Sequence, residues 1–104
     1  MRRRAHGSLR FDPDLEKFIC EELYGGPWAR PGIEMKTRSF ITIAALIATS
    51  HVTQLEAHMR MGMSLGITED EIKEVILQLA YYTGAPCAME AVYALDRVKA
   101  SIAA

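Results

Sequence analysis

Two cysteines in 104 residues are too few and too far apart to staple a small fold. Cys20 and Cys87 also lack the close spacing that a metal site or a redox pair needs. A disulfide-framed secreted module and a zinc finger are therefore excluded, and a reduced, cytoplasmic protein is the simplest reading. Charge of one sign is missing as well: 12 Lys and Arg against 13 Asp and Glu leave a net charge of −1. No global field draws nucleic acid or an anionic membrane to such a surface. No apolar run is long enough to span a bilayer. The basic start, Arg2-Arg3-Arg4 with Arg10, is not followed by an apolar run and so does not read as a secretory signal. It reads as a flexible, solvated segment over residues 1–11, with no aromatic or basic continuation to make it a nucleic-acid arm. Strand alternation, low-complexity linkers and internal repeats are absent too.

Helical spacing of apolar residues is present almost everywhere. Residues 12–104 are read as one all-α domain of about five helices joined by short turns. Asp12-Pro13 supplies a cap and a first-turn proline; Leu15, Phe18, Ile19 and Leu23 then recur at helical spacing until Gly25-Gly26-Pro27. Trp28 to Gly32 reads as a loop. The second helix is predicted over about 34–50. It is apolar all round from Phe40 to Ala48 apart from Thr42, which places it at the centre of the fold or of an assembly. The third helix is predicted over about 52–65, with Met59, Met61 and Met63 as adaptable packing residues. Thr68-Glu69-Asp70-Glu71 has the form of a capping box opening the fourth helix, whose stripe is Ile72, Val75, Ile76, Leu79 and Ala80. Gly84 ends it, and Pro86 opens a fifth with Ala88, Ala91, Val92, Leu95, Val98 and Ile102 on one face. Half the residues are hydrophobic. That is high for a small monomer and points to surface buried between identical subunits.

Chemistry concentrates on the second and third helices. His58 sits beside the apolar stripe, one helical turn from Gln54, Leu55, Met61 and Gly62. Arg38 begins the apolar helix, Arg60 follows His58 by two residues, and His51 lies two turns upstream. Cations and an imidazole on helices built for burial need partners, and a small anion is a suitable one. Each also has a structural reading: a core-edge histidine, an Arg38–Glu34 pair four residues apart, a solvated Arg60 and a helix-start His51. A metal centre is disfavoured, because His51 and His58 are seven apart and the His-Glu-x-x-His spacing is missing. Ser39, Ser50 and Ser64 sit on no nucleophile elbow. Cys20 and Cys87 read as small buried hydrophobes, although the helix start could lower the pKa of Cys87.

The ordered series Trp28-Ala29-Arg30-Pro31-Gly32-Ile33, Lys36-Thr37-Arg38-Ser39 and Leu55-Glu56-Ala57-His58-Met59-Arg60-Met61-Gly62 resembles successive motifs of the carboxymuconolactone decarboxylase family. Gly66-Ile67-Thr68 with Glu71-Ile72, and Gly84-Ala85-Pro86 with Glu90-Ala91, continue the likeness, which covers roughly residues 14–98. The resemblance implies an all-helical subunit with a central antiparallel helical hairpin, assembling into a ring-like homo-oligomer, typically a hexamer. It implies a lyase that needs no metal or organic cofactor and decarboxylates 4-carboxymuconolactone in protocatechuate and β-ketoadipate catabolism. By the same resemblance His58, Arg38 and Glu90 are the catalytic candidates. Arg60, Arg30, His51 and Trp28 are the substrate-binding candidates. The expected partners are further copies of the chain and a small anionic substrate, not nucleic acid or membrane.

Two departures accompany the likeness. A redox branch resembling alkylhydroperoxidase D carries a Cys-x-x-Cys pair where this chain has His51 and Gln54, so a thiol relay is chemically unavailable by that route. Typical decarboxylase members also carry an acid in a Gly-Glu-x-Trp-like loop. Here the loop is Gly25-Gly26-Pro27-Trp28, with Gly26 in the place of the carboxylate. A non-catalytic or differently catalytic oligomer that binds a small anionic metabolite is the alternative reading.

Overall fold

The computed structural model of the chain describes residues 12–103; the flexible segment expected over residues 1–11 lies outside the described residues. Among the described residues all the regular elements are helical. The chain divides into two compact units, one ending at Ile33 and one beginning at Glu34.

In the first unit, α1 (Pro13–Lys17) starts as its sequence predicts: the Asp12 carboxylate accepts hydrogen bonds from the backbone N–H groups of Asp14 and Leu15, at 3.0 and 3.3 Å. The helix does not simply continue. Phe18–Leu23 widens into a π-helical segment, closed by the Tyr24 N–H donating to the Ile19 carbonyl at 3.1 Å. An extra residue per turn rotates the following side chains around the axis. Phe18 and Leu23 of the predicted apolar stripe are accordingly exposed. Leu15 is exposed as well, whereas Glu16 is buried. Trp28 does not lie in an irregular loop either. Pro27–Ala29 forms a single 3-10 turn, for which Pro27 presets φ. The Trp28 ring is buried, 5.7 Å from that of Tyr24 between centroids.

The second unit contains α2 (Met35–Ala48), α3 (Val52–Ser64), α4 (Glu69–Thr83) and α5 (Ala85–Ala103). Their bounds fall within two residues of those predicted, and Gly84, at φ 91°, makes the left-handed turn between α4 and α5. Ile43, Ile47, Leu55, Met59, Ile67, Ile72, Ile76, Ala91, Ala94, Leu95 and Val98 form the core. Met59 is thus packing, as its spacing suggests. The fifth helix differs from expectation at its margins: Val92 and Ile102 are exposed and Ala94 is buried, because α5 turns a narrower face inward. Burial of α2 is likewise one-sided. Ile43 and Ile47 are enclosed, whereas Ile41, Ala45 and Ala48, one turn apart along the other side, are exposed. Among the described residues no helix is long and apolar enough to cross a membrane.

The capping box at α4 forms as its sequence predicts: the Glu71 N–H donates to the Thr68 hydroxyl at 3.1 Å, and the Thr68 N–H donates to the Glu71 carboxylate at 2.9 Å. Replacing Thr68 by Ala should destabilise the domain by about 1 kcal/mol, lowering Tm in a thermal melt by roughly 4–8 °C. An unchanged Tm would mean that α4 is held by its packing alone.

Glu69 links α4 to the end of α5, with Lys99 Nζ at 2.9 Å and Lys73 Nζ at 3.2 Å. Hydrogen bonding from Lys99, then from Lys73, holds its carboxyl below the ordinary range. A pKa depressed by folding stabilises the native state above the unfolded-state value, and that contribution disappears as pH falls through the native one. Wild type should therefore lose more Tm than a Glu69→Gln variant below the usual carboxylate range. Parallel acid limbs would show the ion pairs to be energetically idle.

Candidate functional site

His58 lies in the middle of α3 and is only 9% exposed, with its Nδ1 atom fully buried. Gly62, one turn further on, identifies what this face meets: a Cβ built there would lie 2.9 Å from the Ser39 hydroxyl and 3.3 Å from Ile43 Cδ1. Ser39 is near the start of α2 and Gly62 near the end of α3, so the two helices run in opposite directions. The face of α3 that carries His58 is the face packed on α2.

Arg38 precedes Ser39 in the first turns of α2. It is half-buried, its Nε atom wholly so, and the Thr42 hydroxyl donates to its carbonyl at 2.9 Å. A guanidinium taken partly out of water strengthens any charge–charge contact it makes. The structure thus brings Arg38 and His58 onto two helices in direct contact.

Arg60 is placed elsewhere. Two residues along a helix is a rotation of about 200°, and Arg60 is exposed on the side facing α5. Its Nε donates to the Ser101 hydroxyl at 3.3 Å, and its Nη2 lies 3.8 Å from the Glu56 carboxylate. Arg97 shares that carboxylate, donating through Nε at 2.7 Å. His51 directly precedes α3, exposed, with Nδ1 2.6 Å from the Thr49 hydroxyl. Seven residues at about 1.5 Å each separate it from His58 by roughly 10 Å along the axis. Glu90 is exposed on α5. Arg30 and Trp28 belong to the first unit, Arg30 exposed directly after the 3-10 turn. Cys87 is half-buried in the first turn of α5, its Sγ 3.4 Å from the Ser50 hydroxyl, and Cys20 is half-buried in the π-helical segment.

Two buried polar groups escaped the sequence reading. Ser39 is fully enclosed, and Glu16 is 3% exposed. Ser39 offered only a faint signal, a hydroxyl directly before the apolar run that begins at Phe40. Glu16 lies one and two turns before Ile19 and Leu23 of the predicted stripe, but a carboxylate there gave no sign of burial.

The Gly26 loop is also clarified. A Cβ on Gly26 would lie 2.3 Å from the Glu22 carbonyl oxygen, and one on Gly25 would lie 2.4 Å from that of Glu21. Both obstacles are backbone, so no side chain fits on this path of the chain. The absent carboxylate is thus not a simple exchange of one residue; the turn is built around glycine.

Two grooves lie apart from His58. One of about 530 Å³ runs between α2 and α4 over Phe40, Ile41, Ala44, Val75 and Leu79, with Glu71, Glu74 and Gln78 at its rim. The other, about 310 Å³, is floored by Ile76, Ala80, Ala88 and Val92 between α4 and α5. Lys73 and Asp96 also line the second, and neither groove includes Arg38 or His58.

Comparison with known proteins extends the geometry. The sequence pattern described as "Carboxymuconolactone decarboxylase family" matches residues 13–97. Over 88 residues, 85% of the chain, the sequence is 38% identical to a 4-carboxymuconolactone decarboxylase of Acinetobacter baylyi and covers 66% of it. Over 76 residues, 73% of the chain, it is 37% identical to a nitrosuccinic acid decarboxylase of Metarhizium robertsii and covers 53% of it. An uncharacterised 15.0 kDa protein of Paracoccus denitrificans is 30% identical over 81 residues, which are 76% of the chain and 60% of that protein. The chain therefore spans between about a half and two thirds of the length of these relatives. With a family match that runs from α1 into α5 as far as Arg97 and includes His58 and Arg38, the chain belongs to the carboxymuconolactone decarboxylase family.

Proposed function

We propose that the chain is a subunit of a cofactor-free decarboxylase acting on a small carboxylated substrate, a lactone such as 4-carboxymuconolactone. The observation that carries this reading is a buried imidazole, His58, on a helix packed against the one that bears the half-buried Arg38. Two relatives named as decarboxylases, of different substrates, support the reaction class more strongly than either substrate.

The chemistry suits these groups. Breaking the bond to the carboxylate releases carbon dioxide and leaves an electron pair on carbon, delocalised onto the lactone oxygen. A cation or donor at that oxygen lowers the barrier, and a proton must then be delivered to carbon. Arg38 supplies the cation, bidentate towards a carboxylate or facing the developing oxyanion. His58 supplies the proton. Glu90, Arg60, His51, Arg30 and Trp28 keep the supporting roles that the family resemblance implies. Glu90, Arg60, His51 and Arg30 depend on assembly for enclosure, since all are exposed in the single chain.

Assembly into a homo-oligomer, a ring built around the α2–α3 pair, belongs to the same proposal. Its support is the exposed apolar surface: Ile41 on α2, Leu77 and Tyr81 on α4, and Met89 on α5. An Ile41→Asp variant should shift the light-scattering mass of the protein downwards. A wild type that is already monomeric would remove the assembly from the reading.

The Gly26 turn favours a second reading, an oligomer that binds a small anionic metabolite without turning it over. An ultraviolet assay for loss of 4-carboxymuconolactone separates the two. Turnover supports the lyase, whereas thermal stabilisation by the compound without product supports the binder. A Gly26→Glu variant should not raise turnover and should lower Tm, because its Cβ meets the Glu22 carbonyl. A gain in activity would show instead that the loop rearranges to accept the acid.

A further inference from the structure

The Ser39 hydroxyl is placed differently from those of Thr42, Thr49, Thr83, Ser64 and Ser101. Thr42, Thr49 and Thr83 each fold back on the carbonyl one turn earlier, at 2.8–2.9 Å, and Ser64 and Ser101 bond the carbonyl three residues before them. The Ser39 hydroxyl makes no such bond. It is fully enclosed and, among the described residues, has no hydrogen-bond partner. Instead it is turned against α3 at the one place in that helix where no side chain stands, Gly62. A Cβ there would lie 2.9 Å from it, 3.0 Å from Ile67 Cδ1 and 3.3 Å from Ile43 Cδ1.

Close packing alone does not account for this choice. Alanine at position 39 would let the helices approach at least as closely, without an enclosed hydroxyl whose desolvation opposes folding. Groups kept against the interest of stability are expected where function fixes them. Position 39 follows Arg38 directly, and Gly62 is one turn after His58 on the same face. Whatever sets the separation of α2 and α3 at this point therefore also sets the separation of the guanidinium and the imidazole.

We infer that Ser39 and Gly62 are positioning residues: the Ser39 hydroxyl, seated on Gly62, is the spacer that fixes Arg38 relative to His58. The inference rests on the decarboxylase reading for its catalytic consequence but not for its geometry. Moving the spacer from one helix to the other should then preserve the site, since Ser39→Ala removes one heavy atom from α2 and Gly62→Ala adds one to α3.

The test is a four-member set: wild type, Ser39→Ala, Gly62→Ala and the double variant. Two quantities are measured on each, kcat and KM for 4-carboxymuconolactone and the NMR titration midpoint of the His58 ring, with exposed His51 as internal control. Each single variant should lower kcat about tenfold while remaining folded and should move the His58 midpoint but not that of His51. Ser39→Ala should melt no lower than wild type. The double variant should return both quantities most of the way to wild type. Single variants with unchanged midpoints overturn the inference, whatever their activity, as does a double variant worse than either single. Absence of wild-type turnover together with midpoints that move and recover rejects the decarboxylase reading and leaves the spacer standing. Turnover with neither quantity altered does the reverse.

Discussion

A His58→Asn variant should lose about 10²–10⁴-fold in kcat, the usual worth of a positioned proton donor, while keeping its helical circular dichroism. That loss corresponds to roughly 3–5 kcal/mol of transition-state stabilisation. Asn keeps a polar side chain of similar size in a site only 9% exposed, so neither a cavity nor a charge is created. It cannot titrate, and so it cannot deliver a proton to the carbanion. The comparison with Arg38→Lys sharpens the point. Lysine retains the charge but not the planar fork that holds a carboxylate by two hydrogen bonds, so KM should rise in that variant with a smaller change in kcat. Turnover by His58→Asn at the wild-type rate would take the proton donor away from this residue altogether.

Ile43→Ala should have the largest effect on stability, about 2–5 kcal/mol. Ile43 is fully buried between α2 and α3, with its Cδ1 against Gly62. Because Gly62 has no side chain to move into the space, the cavity has little means of closing. For a domain of this size the loss lowers Tm by roughly 10–30 °C at fixed protein concentration. Ile41→Ala, two residues away on the same helix but 56% exposed, should cost little within the subunit. If Ile41 lies at an interface, its replacement instead weakens association, making Tm more dependent on protein concentration. Equal losses at the two positions would contradict the one-sided burial of α2.

Local signals were read well wherever a few neighbouring residues decide the outcome. The Asp12 cap, the capping box between Thr68 and Glu71 and the glycine turn at Gly84 all form as expected. Each depends on hydrogen bonds or backbone angles within about four residues. The stripe of α4 was legible for the same reason, as its period is strict and its ends are marked. Less was legible in the first unit. The π-helical segment at Phe18–Leu23 shifts the side-chain period by one residue, and no residue type announces such a shift. Phe18 and Leu23, which the regular period places in the apolar stripe, are exposed there.

The chain alone specifies the helical class, the order of the elements and the family, because periodicity, caps and motif order are properties read in one direction. It also nominated His58 and Arg38, because charged and imidazole side chains beside apolar stripes are conspicuous before any folding is known. Packing between helices settles which of the nominated groups lie together. It ties Arg60 to Ser101 and turns Ser39 against Gly62 beside the face of His58. Those relations join residues 23 to 41 positions apart in the chain and depend on how two helices cross. Side-chain packing fixes that, and no local pattern encodes it.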